Sequence, residues 1–194
     1  MKVLEFLSTN GLTIATILAC AILVATPERS PLDAGFGILI IYAWVYGFHR
    51  FLHVFPPESP LSYMNPHIRF HHEHDKSLDR RVELAIEACS DLFLSFSLLL
   101  VQRFFGFPLV PTSVIVLYAL LYTSTHIFNY SIIGSETHTK HHMDPTTNFG
   151  PDTFDQLFGT SYDGKMEDLA PIMMNAIVAT VAVLGLKQIV HWQH

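Results

Sequence analysis

The sequence predicts an all-α integral membrane protein, a single domain over residues 1–194 built as a bundle of four, possibly five, transmembrane helices with a cytoplasmic histidine-rich helical cap. Half of the 194 residues are hydrophobic and only 14% are charged, which is too apolar for an ordinary water-soluble domain. The apolar residues form separate runs of roughly membrane-spanning length, and histidine clusters follow the ends of these runs. The net charge of −6 excludes nucleic acid as an expected partner.

The predicted spans follow one another with short connections. Residues 10–26 and 34–48 are joined by a proline-bounded turn, which predicts an antiparallel hairpin. The next two apolar runs occupy residues 89–107 and 112–125, and prolines separate them. The run at 171–190 is either a fifth span or a helix packed along the site. The first run lacks a small-residue cleavage site, so we expect a retained anchor rather than a removed signal.

The histidines are grouped rather than scattered, since ten of the twelve lie between His49 and His142. Most are three or four residues apart, as in the pairs His49/His53, His67/His71, His138/His141 and His138/His142. Residues at these spacings share one face of a helix. Neutral imidazole is the commonest metal ligand, so each pair can offer two ligands from one helix end.

Alternation of the spans brings the clusters together. If the first four spans cross in turn, every histidine cluster falls on one face, including His126 at the end of the fourth. That face carries eight of the lysines and arginines and the other carries three, and the positive-inside rule therefore places the histidines in the cytoplasm. His191 and His194 are expected to be interfacial residues without a ligand role.

An acidic stripe follows the second histidine cluster. Glu83, Glu87 and Asp91 recur every four residues and would share one helix face. The favoured interpretation is a solvated face at the start of the third span. The alternative is a set of carboxylates that orient ligating imidazoles.

The number of histidines predicts two metals, because one zinc ion needs about four ligands and eight or nine candidate imidazoles converge here. A site at the mouth of a membrane bundle faces lipid chains, whose C–H bonds are not acidic. Side-chain acid–base catalysis cannot cleave such bonds, whereas a redox metal that activates dioxygen can. Iron is therefore the expected ion, although zinc could occupy the site in a purified sample.

The motifs resemble those of the fatty acid hydroxylase/sterol desaturase superfamily. The resemblance rests on HRFLH at 49–53, HIRFHHEH at 67–74, HTKHH at 138–142, NFG at 148–150 and FDQLFGT at 154–160, and it covers roughly residues 42–162. It implies a membrane non-haem di-iron oxygenase that hydroxylates or desaturates a fatty acyl or sterol-type lipid. The electrons would come from a carrier such as cytochrome b5 or a ferredoxin with its reductase, since the chain has no room for a fused electron-transfer domain.

Carried over by position, the resemblance implies the metal ligands His49, His53, His67, His71, His72, His126, His138, His141 and His142. The second motif departs from the usual HxxHH, because His67 lies four residues before His71, and His74 is a possible substitute for His67. Phe154 stands where the family commonly has Trp. Asp155 is a candidate for orienting a ligating imidazole, and no separate catalytic acid or base is assigned.

Other functions fit parts of the same pattern. Carotenoid or ether-lipid hydroxylases use similar histidine motifs and differ in their products. A non-catalytic zinc-binding or metal-transporting membrane protein, or a catalytically inactive scaffold, would also carry clustered histidines. If the source is eukaryotic, the expected location is the endoplasmic reticulum.

Overall fold

The computed structural model describes residues 2–27, 29–55, 59–61, 64–65, 67–72 and 78–190. Within these ranges the chain forms helices and no strand. The α-helices are α1 Lys2–Ala25, α2 Pro31–Leu52, α3 Arg80–Phe105, α4 Thr112–Ser124, α5 Glu136–Met143, α6 Asp152–Phe158 and α7 Met173–Ile189. The π-helices are His67–His72 and Thr125–Gly134, and a 3-10 turn occupies Ala170–Ile172. The predictions for His74, His191 and His194 fall outside the described residues.

Among the described residues, four helical segments are long and apolar enough to cross a membrane. These segments are Leu4–Ala25, Pro31–Leu52, Arg80–Phe105 and Ala170–Ile189. Between 22% and 33% of the most apolar window in each segment is buried inside the protein, so most of each helix surface is left to face lipid. The prediction of an all-α membrane bundle is confirmed, and the C-terminal run is one of the segments of spanning length.

The central helix of the bundle is α4, which contacts α1, α2, α3 and α7. It has 13 residues and continues into the ten-residue π-helix Thr125–Gly134, so the two together have the roughly 20 residues that cross a hydrocarbon core. Val114 and Leu117 are fully buried, so the span that the sequence predicts at 112–125 packs against the other helices, and its crossing of the membrane stays a prediction. The chain continues from Ser124 through Thr125 in right-handed helical conformation into the following π-helix.

The helix α2 is longer than the predicted run at 34–48, and its capping explains why. Ser30 accepts a hydrogen bond from the Asp33 backbone N–H, while the Asp33 carboxylate accepts one from the Ser30 backbone N–H. This reciprocal capping box, with Pro31 as the first helical residue, fixes the start of α2. The far end continues to Leu52 and carries His49 in helical conformation.

Polar contacts fix the direction of the outer helices. Near the histidine side of the bundle, the Asn10 side chain donates to the Glu167 carbonyl at 3.1 Å and accepts from the Leu169 N–H at 2.7 Å. On the opposite side, the Lys187 ammonium donates to the Val24 carbonyl at 2.7 Å and the Thr26 carbonyl at 3.1 Å. The helices α1 and α7 therefore run in the same direction, away from the histidines, while α2 and α4 run towards them.

Candidate metal centre

The last turn of α2 presents the first two histidines. His49 is buried and His53 follows the helix end four residues later, so both rings lie on one helix face. The His49 Nδ1–H donates to the Phe149 carbonyl oxygen at 2.7 Å. Because a neutral imidazole carries one N–H, this contact leaves the His49 Nε2 lone pair facing the cluster.

The π-helix before α3 contributes three more histidines and accounts for the unusual spacing of the second motif. The ring of His67 lies 5.0 Å from that of His71 and 5.0 Å from that of His72. A π-helix bonds residue i to residue i+5, so residues four and five apart lie above one another. His67 Nε2 lies 2.9 Å from His49 Nε2 and 3.1 Å from His53 Nε2, which places His67 inside the cluster.

The helix α5 contributes the last three histidines at ordinary α-helical spacing. Ser135 caps the helix by accepting from the His138 backbone N–H at 3.3 Å. His141 is 1% exposed, and its Nδ1–H donates to the Thr147 carbonyl at 2.6 Å. His142 Nε2 lies 3.0 Å from His138 Nε2. Hydrogen bonds and ring contacts within the protein therefore orient these imidazoles without a bound ion.

The clustered side chains divide into two groups that we call the first and the second centre. The first centre consists of His49, His53, His67, His72 and His141. The second centre consists of His71, Glu87, His126 and His138, and His142 joins it. The candidate ligand atoms of the first centre lie within 4.8 Å of one another, as do those of His71, Glu87, His126 and His138 and those of His71, His72 and His142. The His142 ring stacks on His72 with the ring centroids 4.5 Å apart, so the two centres adjoin.

The free nitrogen atoms are arranged to receive cations. His72 Nε2 and His141 Nε2 are buried and have no hydrogen-bond partner within the part of the chain that the structure describes. A buried polar atom without a partner is costly, and a metal ion would satisfy both nitrogens. His142 Nε2 also lies 3.1 Å from His71 Nε2. Two ligands at 90° around a metal, each about 2.1 Å from it, are about 3.0 Å apart, so the residues fit a metal.

Two carboxylates from the acidic stripe enter the second centre. Asp91 is 1% exposed and accepts from His126 Nδ1–H at 2.8 Å. Glu87 is 6% exposed and places its Oε1 atom 3.5 Å from His126 Nε2. The favoured expectation of a solvated face is therefore wrong for both residues, although Glu83 pairs with Arg80 at 3.2 Å as a residue at the bundle edge does. In the sequence, the signal for a buried carboxylate was Asp91, which lies within the otherwise apolar run at 89–107.

Burial favours the neutral form of the histidines. Burial first, and then the neighbouring imidazoles of His141 and His142, lower the pKa of His53 to about 3. Burial and the His49 ring lower the pKa of His141 to about 2, although its hydrogen bond to Thr147 acts in the opposite direction. Metals bind neutral imidazole, so these rings are in the ligand form at neutral pH.

The same shifts predict acid sensitivity of the metal-free protein. Unfolded histidine has a pKa of about 6.5, above the folded values of His53 and His141, so the unfolded chain takes up protons first. The stabilising contribution is fully present above about pH 6.5 and falls by up to about 1.4 kcal/mol per histidine for each pH unit below it. The loss of stability can be measured as the unfolding temperature of chelator-treated protein between pH 5 and 8. A His53→Gln variant should show a shallower decline, and an unfolding temperature independent of pH would contradict the prediction.

The segment after α5 supports the first centre through backbone carbonyls. Asp155 is 1% exposed, and its carboxylate accepts from the Phe149 and Gly150 N–H groups at 2.9 and 2.7 Å and from the Thr160 hydroxyl at 2.7 Å. These contacts hold the Phe149 carbonyl towards His49. Among the described residues no imidazole donates directly to Asp155. Asp155 instead binds the Phe149 N–H, and the carbonyl of Phe149 accepts the hydrogen bond from His49.

The Fatty acid hydroxylase family model matches residues 34–160 of the chain. The chain belongs to this family. The match confirms the superfamily that the motifs indicated. No curated protein and no solved structure matches the chain.

The matched residues run from α2 to Thr160 and include both centres together with Asp155. The helices α1 and α7 lie outside the match and pack on each other and on α4. Family membership indicates a membrane lipid hydroxylase or desaturase. The histidine clusters of this chain are compatible with a metal site at one end of the bundle.

Proposed function

We propose that the protein is a membrane di-iron oxygenase that hydroxylates or desaturates a fatty acyl or sterol-type lipid with dioxygen and electrons from an external carrier. The observation that carries this proposal is the convergence of nine histidines at one end of an apolar helix bundle, where His72 Nε2 and His141 Nε2 are buried without a hydrogen-bond partner among the described residues. Iron bound there supplies the dioxygen chemistry that cleaves a non-acidic C–H bond. The ligands that we propose are His49, His53, His67, His71, His72, His126, His138, His141 and His142.

Apolar surface beside the first centre supports a lipid substrate. Phe51, Val54 and Met64 flank His53 and His67 in the chain, and they are 51%, 65% and 81% exposed. Large exposed apolar side chains at the end of a membrane helix favour contact with acyl or sterol chains rather than with water. A lipid in the bilayer can therefore reach the site without leaving an apolar environment.

The protein's own side chains orient the ligands and exclude water. Phe149 is 4% exposed and packs its ring 5.7 Å from the rings of His49 and His141 and 5.6 Å from that of His53. Its carbonyl, and that of Thr147, hold the two Nδ1–H groups. Such partners fix the tautomer and the ring orientation of metal ligands, and an aromatic cover keeps the site dry.

We further propose that the histidine side faces the cytoplasm, where a cytochrome b5-type or ferredoxin carrier with its reductase would deliver electrons. The described basic residues support this orientation, because Arg50, Arg69, Arg80 and Arg81 lie on that side. A metal transporter is disfavoured, since its ligands are expected near the bilayer midplane and these histidines lie at helix ends. If the source is eukaryotic, the endoplasmic reticulum is the proposed location.

The decisive experiment is expression in a host with a compatible reductase, followed by untargeted lipid mass spectrometry under ¹⁸O₂. A hydroxylase will add one labelled oxygen to its product, whereas a desaturase will yield a product two hydrogens lighter without label. We expect one of these products together with bound iron in the purified protein. Carotenoid or ether-lipid products would redirect the substrate assignment. Bound zinc without oxygen-dependent products, even with iron supplied, would contradict the proposal.

A further inference from the structure

Glu87 is a buried carboxylate inside a cluster that is otherwise made of imidazoles. Its Oε1 atom lies 3.4 Å from His71 Nδ1 and 3.5 Å from His126 Nε2, and it accepts a hydrogen bond from the Ser131 hydroxyl. A carboxylate with 6% exposure must be compensated by hydrogen bonds, by an opposite charge or by a metal. One hydroxyl group gives only part of this compensation.

The contact with His126 shows where a cation would be held. The His126 Nδ1–H is already donated to Asp91, at 2.8 and 2.9 Å from the two carboxylate oxygens. In a neutral ring the Nε2 atom is then an acceptor, and it faces the Glu87 oxygen, which is also an acceptor. Two acceptors directed at the same point are stabilised by a cation that binds both.

The spacing fits coordination as well. Two ligand atoms at the tetrahedral angle around a metal, each about 2.1 Å from it, are about 3.4 Å apart. The Glu87 oxygen lies close to this separation, at 3.5 Å, from His126 Nε2. The candidate ligand atoms of His71, Glu87, His126 and His138 together lie within 4.8 Å of one another.

We propose that Glu87 is a ligand of the metal in the second centre, an inference that rests on the metal-binding function proposed above. The two metals then occupy unequal sites. The first centre offers five imidazoles and no carboxylate, whereas the second combines imidazoles with the Glu87 carboxylate and a carboxylate-bound His126. The negative charge stabilises a metal cation more strongly, so the second centre binds its metal more tightly than an imidazole-only site of the same geometry.

A rival arrangement leaves Glu87 without a metal. If His126 were doubly protonated, its two N–H groups would satisfy Asp91 and Glu87, and His126 would not be a ligand. His71 Nδ1–H could likewise donate to Glu87 while His71 Nε2 binds the metal. In both cases Glu87 only accepts hydrogen bonds, a role that the neutral oxygen of glutamine can fill.

The test compares metal content in Glu87→Gln, Glu87→Asp and Glu83→Gln variants. Glutamine keeps the size of the side chain and one acceptor oxygen, aspartate keeps the charge, and Glu83 lies one turn earlier on the same face of α3, paired with Arg80. The purified proteins are loaded anaerobically with ferrous iron. Iron per chain is measured by mass spectrometry, and the two sites are distinguished by Mössbauer spectroscopy. Size-exclusion profiles and unfolding temperatures show that each variant is folded.

We expect about two irons per chain in the wild type and in Glu83→Gln. Glu87→Gln should hold about one iron, or bind the second at least about tenfold more weakly, and lose one of two quadrupole doublets. Partial recovery in Glu87→Asp would support the role of the charge. A Glu87→Gln protein with two irons and an unchanged spectrum would overturn the assignment while leaving the dimetal site intact. A folded wild type that binds no metal would overturn the proposed function itself.

Discussion

The double variant His138→Ala/His142→Ala is expected to lose all measurable lipid oxidation and the metal of the second centre. Both side chains come from one face of α5, and their Nε2 atoms are 3.0 Å apart. Alanine offers no ligand, so the second centre would keep only His71, His126 and Glu87. Loss of a residue that merely orients a ligand costs about 10- to 100-fold in activity. Removal of two ligands should therefore leave less than about 1% of wild-type turnover, measured as product formed per enzyme molecule per unit time.

A matched control lies between the two substituted residues. Lys140 is on the same helix, but its ammonium pairs with Glu136 at 2.7 Å and Asp163 at 2.6 Å, away from the centres. Exposed ion pairs contribute little to stability, so Lys140→Ala should keep its metals and its activity. If the double variant oxidised lipid at the wild-type rate, the second centre would have no part in the reaction.

The spacing of the histidines allowed the cluster to be predicted because helix geometry is local. Pairs three or four residues apart must share a helix face, and alternation of the spans brings such pairs to one end of the bundle. The structure places His49, His126 and His141 together across long separations in the chain. The family match shows the superfamily that these motifs indicated. The assignment of each histidine as a ligand remains a prediction.

The bounds of the membrane spans stay predictions, since an apolar run does not reveal whether lipid or protein covers it. The run at 112–125 has the composition of a lipid-facing helix, but α4 is the central helix and the other spans surround it. From the sequence, the run at 171–190 is either a fifth span or a helix packed along the site, and it contains Lys187. The ammonium group of this lysine binds the last carbonyls of α1, so its charge lies at the end of a span rather than within one.

The carboxylates of α3 show that the sequence does not reveal what surrounds a polar residue either. Periodicity placed Glu83, Glu87 and Asp91 on one face of a helix, and this is what α3 presents. Periodicity cannot show whether that face meets water or another part of the chain. The answer depends on the π-helix that carries His126 and Ser131, and a π-helix has no sequence signature as clear as a capping box or a proline.

The segment from Asn148 to Thr160 identified the family without supplying a ligand, and the structure gives it a supporting role. Asn148 has a φ of 50°, a left-handed conformation that asparagine adopts more readily than most residues. Its side-chain amide donates a hydrogen bond to the Thr137 carbonyl, and its side-chain oxygen accepts one from the Tyr162 N–H. The Thr160 hydroxyl donates to Asp155 and so accepts from the Tyr46 hydroxyl at 2.9 Å. Tyr46 lies one turn before His49 on α2, and the segment is therefore tied to the helix whose histidine it orients.

Replacement of Asp155 by alanine is expected to empty the first centre while sparing the second. The Phe149, Gly150 and Thr160 donors would lose their acceptor, at about 1–3 kcal/mol for each one left buried and unpaired. Asparagine keeps one acceptor oxygen, so Asp155→Asn should destabilise less. Because Phe149 orients His49, the affinity of the first centre for its metal should fall about 10- to 100-fold.

Iron content of the Asp155→Ala variant should fall from about two to about one per chain, and the remaining iron should be the one that Glu87→Gln removes. Asp152→Asn is the matched control, since Asp152 lies one turn earlier on α6 and accepts from the Glu167 N–H instead. Mössbauer spectra of the three proteins would separate the two centres. Two irons in a folded Asp155→Ala variant would contradict the support role. Loss of both irons would show that the first centre holds the second in place, because no contact described for Asp155 reaches His71, His126 or His138.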